Sequence, residues 1–182
     1  MKTIKKLSFV FALAIILTSC DAIGELLTIK IKDVKMTKDV QIKVEAPMTS
    51  KSAVAAATGY AFTNTAKVEV SESEDLKEYL SKIKEIVLDS ITCKVYGVEN
   101  GDVQSLKLTV NPLNFVKTIN PVIINQEIYI PFTDAEFKSI AGQILDFEEL
   151  EFKLEGVVSK RPLTFNISVT VDADYIVKVL ND

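Results

Sequence analysis

Among the residues able to do chemistry, two groups of carboxylates come first: Asp146, Glu148, Glu149 and Glu151, then Asp172 with Asp174. Clustered carboxylate oxygens suit calcium when a turn, usually opened by glycine, makes them converge. Two carboxylates opposed across a cleft suit glycoside hydrolysis, normally beside aromatic sugar platforms. The spacing here argues for neither. Glu149 and Glu151 alternate with Leu150 and Phe152, and neighbouring residues of a strand point to opposite faces. The acids therefore belong to a solvated strand face. The chain also contains no tryptophan to stack on a sugar. The expectation is no metal, no cofactor and no catalytic pair.

Nucleophiles fare no better. The chain has no histidine, so Ser-His-Asp and Cys-His arrangements and histidine-bearing zinc sites are excluded. Ser81-Lys82-Ile83-Lys84 matches Ser-x-x-Lys, the nucleophile motif of penicillin-recognising enzymes, but the Ser-x-Asn and Lys-Thr-Gly companions are missing. On a helix Ser81 would point away from the Leu76, Leu80 and Ile83 stripe, as a surface serine does. Of the two cysteines, Cys93 alternates with Ile91 and Val95, the position of a small buried apolar group. Asp89-Ser90-Ile91 resembles the O-glycosylation motif of exported Bacteroidetes proteins, and its plain alternative is a polar strand entry. With six glycines in all, a Gly-rich phosphate loop has little room, and neither common type occurs.

The other cysteine carries the strongest signal. Lys2, Lys5 and Lys6 precede an uncharged run from Leu7 to Leu17 whose single polar residue is Ser8. That run is shorter than the roughly 20 residues that span a bilayer, and it has the length of a secretory signal. It stops at Leu17-Thr18-Ser19-Cys20, which resembles the lipobox of bacterial lipoproteins: a branched aliphatic residue, two small residues and the cysteine. The resemblance implies cleavage before Cys20, diacylglycerol on its thiol and palmitate-type acyl chains as the membrane anchor. Residues 1–19 are then the signal peptide, 20–25 the lipidated tether and 26–182 one domain. Asp21 resembles an inner-membrane retention signal of enteric bacteria, a rule that other phyla do not follow. The leaflet stays open on this signal, with the outer membrane or cell surface expected ahead of the inner membrane. With Cys20 lipidated, Cys93 has no partner for an internal disulfide.

Removing three lysines and no acids with residues 1–19 leaves 18 basic against 25 acidic residues, a formal charge of −7. That balance, without a basic stripe, argues against nucleic acid as a partner. It also leaves attachment to the acyl chains rather than to electrostatic adsorption.

The elements that must position these residues are mostly strands. Leu27, Ile29 and Ile31 alternate with polar residues, as do Val40, Ile42 and Val44, and most clearly Leu163, Phe165, Ile167, Val169 and Val171. One wet and one dry face is the mark of antiparallel sheets. Two short helices are expected. The first carries Leu76, Tyr79, Leu80 and Ile83 after the acids Glu72, Glu74 and Asp75. The second starts with the capping-box pattern Thr133-Asp134-Ala135-Glu136 and presents Phe137, Ile140, Ile144 and Leu145 on one stripe.

Residues 66–97 can be set against residues 127–156: each reads strand, helix, then a strand ending in Lys-x-x-Gly. Ile91, Cys93 and Val95 fall in phase with Leu150, Phe152 and Leu154. Leu106, Leu108 and Val110 follow the first unit as Leu163, Phe165 and Ile167 follow the second. Either the unit is duplicated or two amphipathic units agree by chance. Asn100-Gly101 favours a tight hairpin. Asn111-Pro112 and Asn120-Pro121 bracket the link between the units, since a residue before proline avoids helix. The Ala-, Ser- and Thr-rich segment from Pro47 to Ala66 is read as a surface loop, with a strand pair burying Tyr60 and Phe62 as the alternative.

The expected fold is mainly β: one antiparallel β-sandwich, or a sandwich-like α+β domain with two short helices. Strand style, lipobox and composition loosely resemble Bacteroidetes β-sandwich lipoproteins, a resemblance that implies no activity. The expected role is a non-catalytic, membrane-anchored envelope lipoprotein that binds another envelope or surface protein or serves a structural purpose. A carrier holding a lipid or other apolar ligand is the alternative.

Overall fold

The computed structural model describes residues 28–46 and 59–179. Cys20, the expected signal peptide and tether, and Pro47 to Thr58 lie outside the described residues. The strands are β1 (Thr28–Val44), β2 (Tyr60–Glu69), β3 (Ile83–Tyr96), β4 (Val103–Asn111), β5 (Phe115–Ile119), β6 (Glu127–Tyr129), β7 (Glu149–Val158) and β8 (Leu163–Lys178), with one helix, α1 (Asp134–Phe147). They form two antiparallel four-stranded sheets, β1-β8-β3-β6 and β2-β7-β4-β5, consistent with a β-sandwich.

The two-residue period builds the core. Along β8, alternate residues from Leu163 through Phe165, Ile167, Val169, Val171, Ala173 and Tyr175 to Val177 are buried, and the residues between them face outward. Phe62 of β2 meets Phe165 of β8 edge-on, with ring centroids 5.3 Å apart. That contact joins the two sheets in the favoured T-shaped geometry.

Strand pairing obeys a pseudo-twofold relation. Exchanging β2, β3, β4 and β5 with β6, β7, β8 and β1 turns the first sheet's order into β5-β4-β7-β2, which is the second sheet read backwards. Register agrees. Cys93 pairs with Ile128 and Val169, and its counterpart Phe152 pairs with Ala66 and Val110. Leu106, Leu108 and Val110 thus correspond to Phe165, Ile167 and Val169, two residues beyond the sequence alignment. The shared glycines meet different demands. Gly97 has φ 71°, whereas a Cβ on Gly156 would collide with the Ser105 carbonyl oxygen.

Four expectations need correction. The segment expected to form the first helix is a series of tight turns ending in the 3-10 turn Leu80–Lys82. Only Leu76 of its apolar stripe is fully buried, and Ile83 belongs to β3 opposite Val177. Asn100-Gly101 closes no hairpin, because β3 and β4 lie in different sheets. Tyr60 to Ala66 is strand rather than loop, with Phe62 buried. On α1 the buried stripe is Ile140, Ala141 and Ile144, and Leu145 is exposed.

Candidate functional site

One group of unlike charges lies on the outer face of the first sheet. Two β-bulges build it, between Ile31 and Val34 in β1 and between Leu88 and Ser90 in β3. Val34 and Leu88 both pair with Ala173 of β8, so the bulges flank the same point of the central strand. There they bring Asp33 and Asp89 toward Asp172 and Asp174. A bulge adds a residue and bends its strand, and Asp33 takes up the bend at φ 55°.

Electrostatics in this group are largely settled within the group. Lys30 Nζ lies 2.6 Å from Asp174 Oδ2, and the Asp33 backbone N–H donates to Asp174 Oδ1 at 3.0 Å. The Lys30 hydrogen bond, then that N–H, hold the Asp174 carboxyl below its usual range. The same hydrogen bond raises Lys30, against partial desolvation. Asp89 is pushed upward, first by desolvation and then by the carboxylates of Asp174, Asp172 and Asp33. Lys35 approaches Asp172 Oδ2 at 3.6 Å, while Asp172 Oδ1 is buried with no hydrogen-bond partner among the described residues. Among the described residues, no group of three or more His, Cys, Asp or Glu is arranged to hold a metal ion.

Glu149 and Glu151 sit on the outer face of the second sheet, at the foot of β7. Glu149 pairs with Lys67, and Glu151 accepts from Asn111 Nδ2 at 2.9 Å. Further along, Glu155 binds Lys107 and Lys153 at 2.7 and 2.9 Å, which lowers its pKa. Glu148 caps α1 with φ 57°, and Asp146 is exposed. Glu149 and Glu155 are ion-pair partners and Glu151 is a hydrogen-bond acceptor, on the outer face of the sheet that does not contain Asp172 and Asp174, so the two sequence groups stay apart.

Cys93 is buried between Ile128 and Val169, and desolvation pushes its thiol up to about 12. Reactivity belongs to the thiolate, so this thiol is inert near neutral pH. Ser81 lies in the 3-10 turn and Lys84 on β3, so Ser-x-x-Lys does not form on a helix. Ser90 sits on β3 opposite Asp172 at half-burial.

The bulges were missed in the sequence although a signal exists. Apolar positions run Ile29, Ile31 and then Val34, Met36, an odd-to-even slip. They run Ile86, Leu88 and then Ile91, Cys93, the reverse slip. A change of phase inside an alternating run means an extra residue.

An open cleft of about 410 Å³ lies between the end of β1 and the start of β2. Ile42, Val44, Tyr60 and Phe62 line it together with Lys43 and Arg161, whose guanidinium stacks 4.3 Å from the Tyr60 ring centroid. Among the described residues, no helix is long and apolar enough to cross a membrane. No protein-family model matches the chain, and no curated protein matches it.

Proposed function

We propose that the protein is a non-catalytic lipoprotein of the bacterial cell envelope, anchored through acyl chains on Cys20, whose sandwich binds another envelope or surface protein. The observation that carries the reading is Leu17-Thr18-Ser19-Cys20 placed directly after a lysine start and an uncharged run. The partnering of the acids supports the non-catalytic part: Asp174, Glu149, Glu151 and Glu155 are each engaged by a neighbouring lysine or amide. The buried thiol and the lack of histidine point the same way. Membership of the outer membrane or cell surface is part of the proposal.

The test is Cys20→Ala in the producing cell. Lipid labelling should vanish and the domain should leave the membrane fraction; unchanged membrane partition would refute the anchor. Capture from membranes with the anchored protein, compared with the released variant, should then recover one envelope protein with the anchored form.

The cleft beside Tyr60 and Phe62 favours a ligand carrier as the second reading. Its volume is within the range of small-molecule sites, and Lys43, Glu45 and Arg161 in its lining suit an amphiphile better than a wholly apolar guest. Extraction of the purified protein and mass spectrometry of the extract would recover a stoichiometric small molecule if the carrier reading holds.

A further inference from the structure

We infer that the end of the sandwich where β1 begins rests on the phospholipid headgroup layer beside the anchor. This rests on the lipid-anchor reading above and adds an orientation to it.

Chain length sets the reach. Seven residues separate Cys20 from Thr28, and eight extended steps cover at most about 28 Å. Strand β1 then runs for 17 residues, so Val44 stands on the order of 50 Å from Thr28. The bilayer is within reach of the first end and beyond reach of the second while the strand stands upright.

The first end has a matching surface. Ile29, Val177 and Ile83 form the last inward row across β1, β8 and β3. Ile29 is 41% exposed and Val179, just past the end of β8, is 44% exposed. Lys32, Lys82 and Lys84, none of them in an ion pair among the described residues, flank that row, while Lys30 is tied to Asp174 and Asp33, Glu85 and Asp89 lie in the same region. The end therefore offers three ammonium groups without an ion-pair partner among the described residues, on a chain whose mature charge is −7. Apolar tips beside three lysines without ion-pair partners fit a headgroup layer: the aliphatic groups enter its boundary, and lysine stems extend along it with their ammonium groups at phosphate level.

The experiment uses the full lipidated protein reconstituted in mixed phosphatidylcholine and phosphatidylglycerol vesicles that carry a headgroup-attached quencher. An environment-sensitive fluorophore is placed on Ile29→Cys or Val179→Cys, and on Glu99→Cys at the opposite end; buried Cys93 stays unlabelled. Quenching should be severalfold stronger at Ile29 and Val179 than at Glu99. Lys32→Glu with Lys84→Glu should reduce quenching at Ile29 without releasing the protein. Equal quenching at both ends of an anchored protein, or stronger quenching at Glu99, would overturn the orientation and leave the anchor standing. A wild-type protein that carries no lipid on Cys20 would overturn both.

Discussion

The pseudo-twofold sets two connections side by side: residues 70–82, which join β2 to β3, and α1, which joins β6 to β7. Both read as amphipathic helices, and only one is a helix. In α1, the Thr133 side chain accepts the Glu136 N–H while the Glu136 carboxylate accepts the Thr133 N–H. Lys117 of β5 ties the same carboxylate to the second sheet at 2.9 Å, and three residues, Ile140, Ala141 and Ile144, are buried. Residues 70–82 have no side-chain cap and fully bury Leu76 alone of the expected stripe. Periodicity thus nominates a helix; a cap and several buried anchors produce one.

Substitutions in the two connections test that contrast, beginning where the cost is greatest. Ile140→Ala and Leu76→Ala should each cost about 2–5 kcal/mol in denaturant unfolding, because both leave cavities at fully buried sites. A Leu76→Ala cost no larger than that of a surface substitution would mean the turns are held by something other than that side chain.

Thr133→Ala should cost about 1 kcal/mol by removing the cap, with no equivalent effect from Ser73→Ala in the other connection. Glu136 adds a pH signature. Its pKa is lowered first by the Thr133 N–H and then by Lys117, so the unfolded chain takes up the proton before the folded one does. The contribution is complete above the ordinary glutamate value of about 4.3 and is lost as pH falls through the lower folded value. The stability gap between wild type and Glu136→Gln should therefore close in that acid window; a gap independent of pH would contradict the cap geometry.

Glu148→Gly should stabilise by roughly 0.5–1 kcal/mol. A residue with a side chain pays about 1–2 kcal/mol in the left-handed region, and the added freedom of glycine returns part of the gain. Thermal melts in which this variant is less stable than wild type would show that Glu148 contributes something beyond its backbone shape. The smallest effects belong to Glu149→Gln and Glu151→Gln, within about 0.5 kcal/mol, since one loses a surface ion pair and the other keeps a carbonyl to accept from Asn111. Calcium should leave their unfolding midpoints unchanged.

What the sequence made legible follows the same division. Strict alternation located the buried residues of β8 and the burial of Cys93, because period two has one physical meaning. The capping box located α1 because its chemistry is local. Sheet membership was not legible: nothing near Asn100-Gly101 says that β4 leaves the sheet of β3. Nor was the meeting of Asp33 and Asp89 with Asp172 and Asp174, which depends on two bulges at matching heights on separate strands. The change of apolar phase marks each bulge, but their shared height is set by pairing to β8.

Location, orientation and partner all rest on the anchor, and intact-protein mass spectrometry of material purified from the membranes of the producing cell tests it most directly. The mature chain should begin at Cys20 and carry the added mass of a diacylglyceryl group and an acyl chain. A chain that still begins at Met1, or one cut elsewhere with Cys20 unmodified, would contradict the lipoprotein reading.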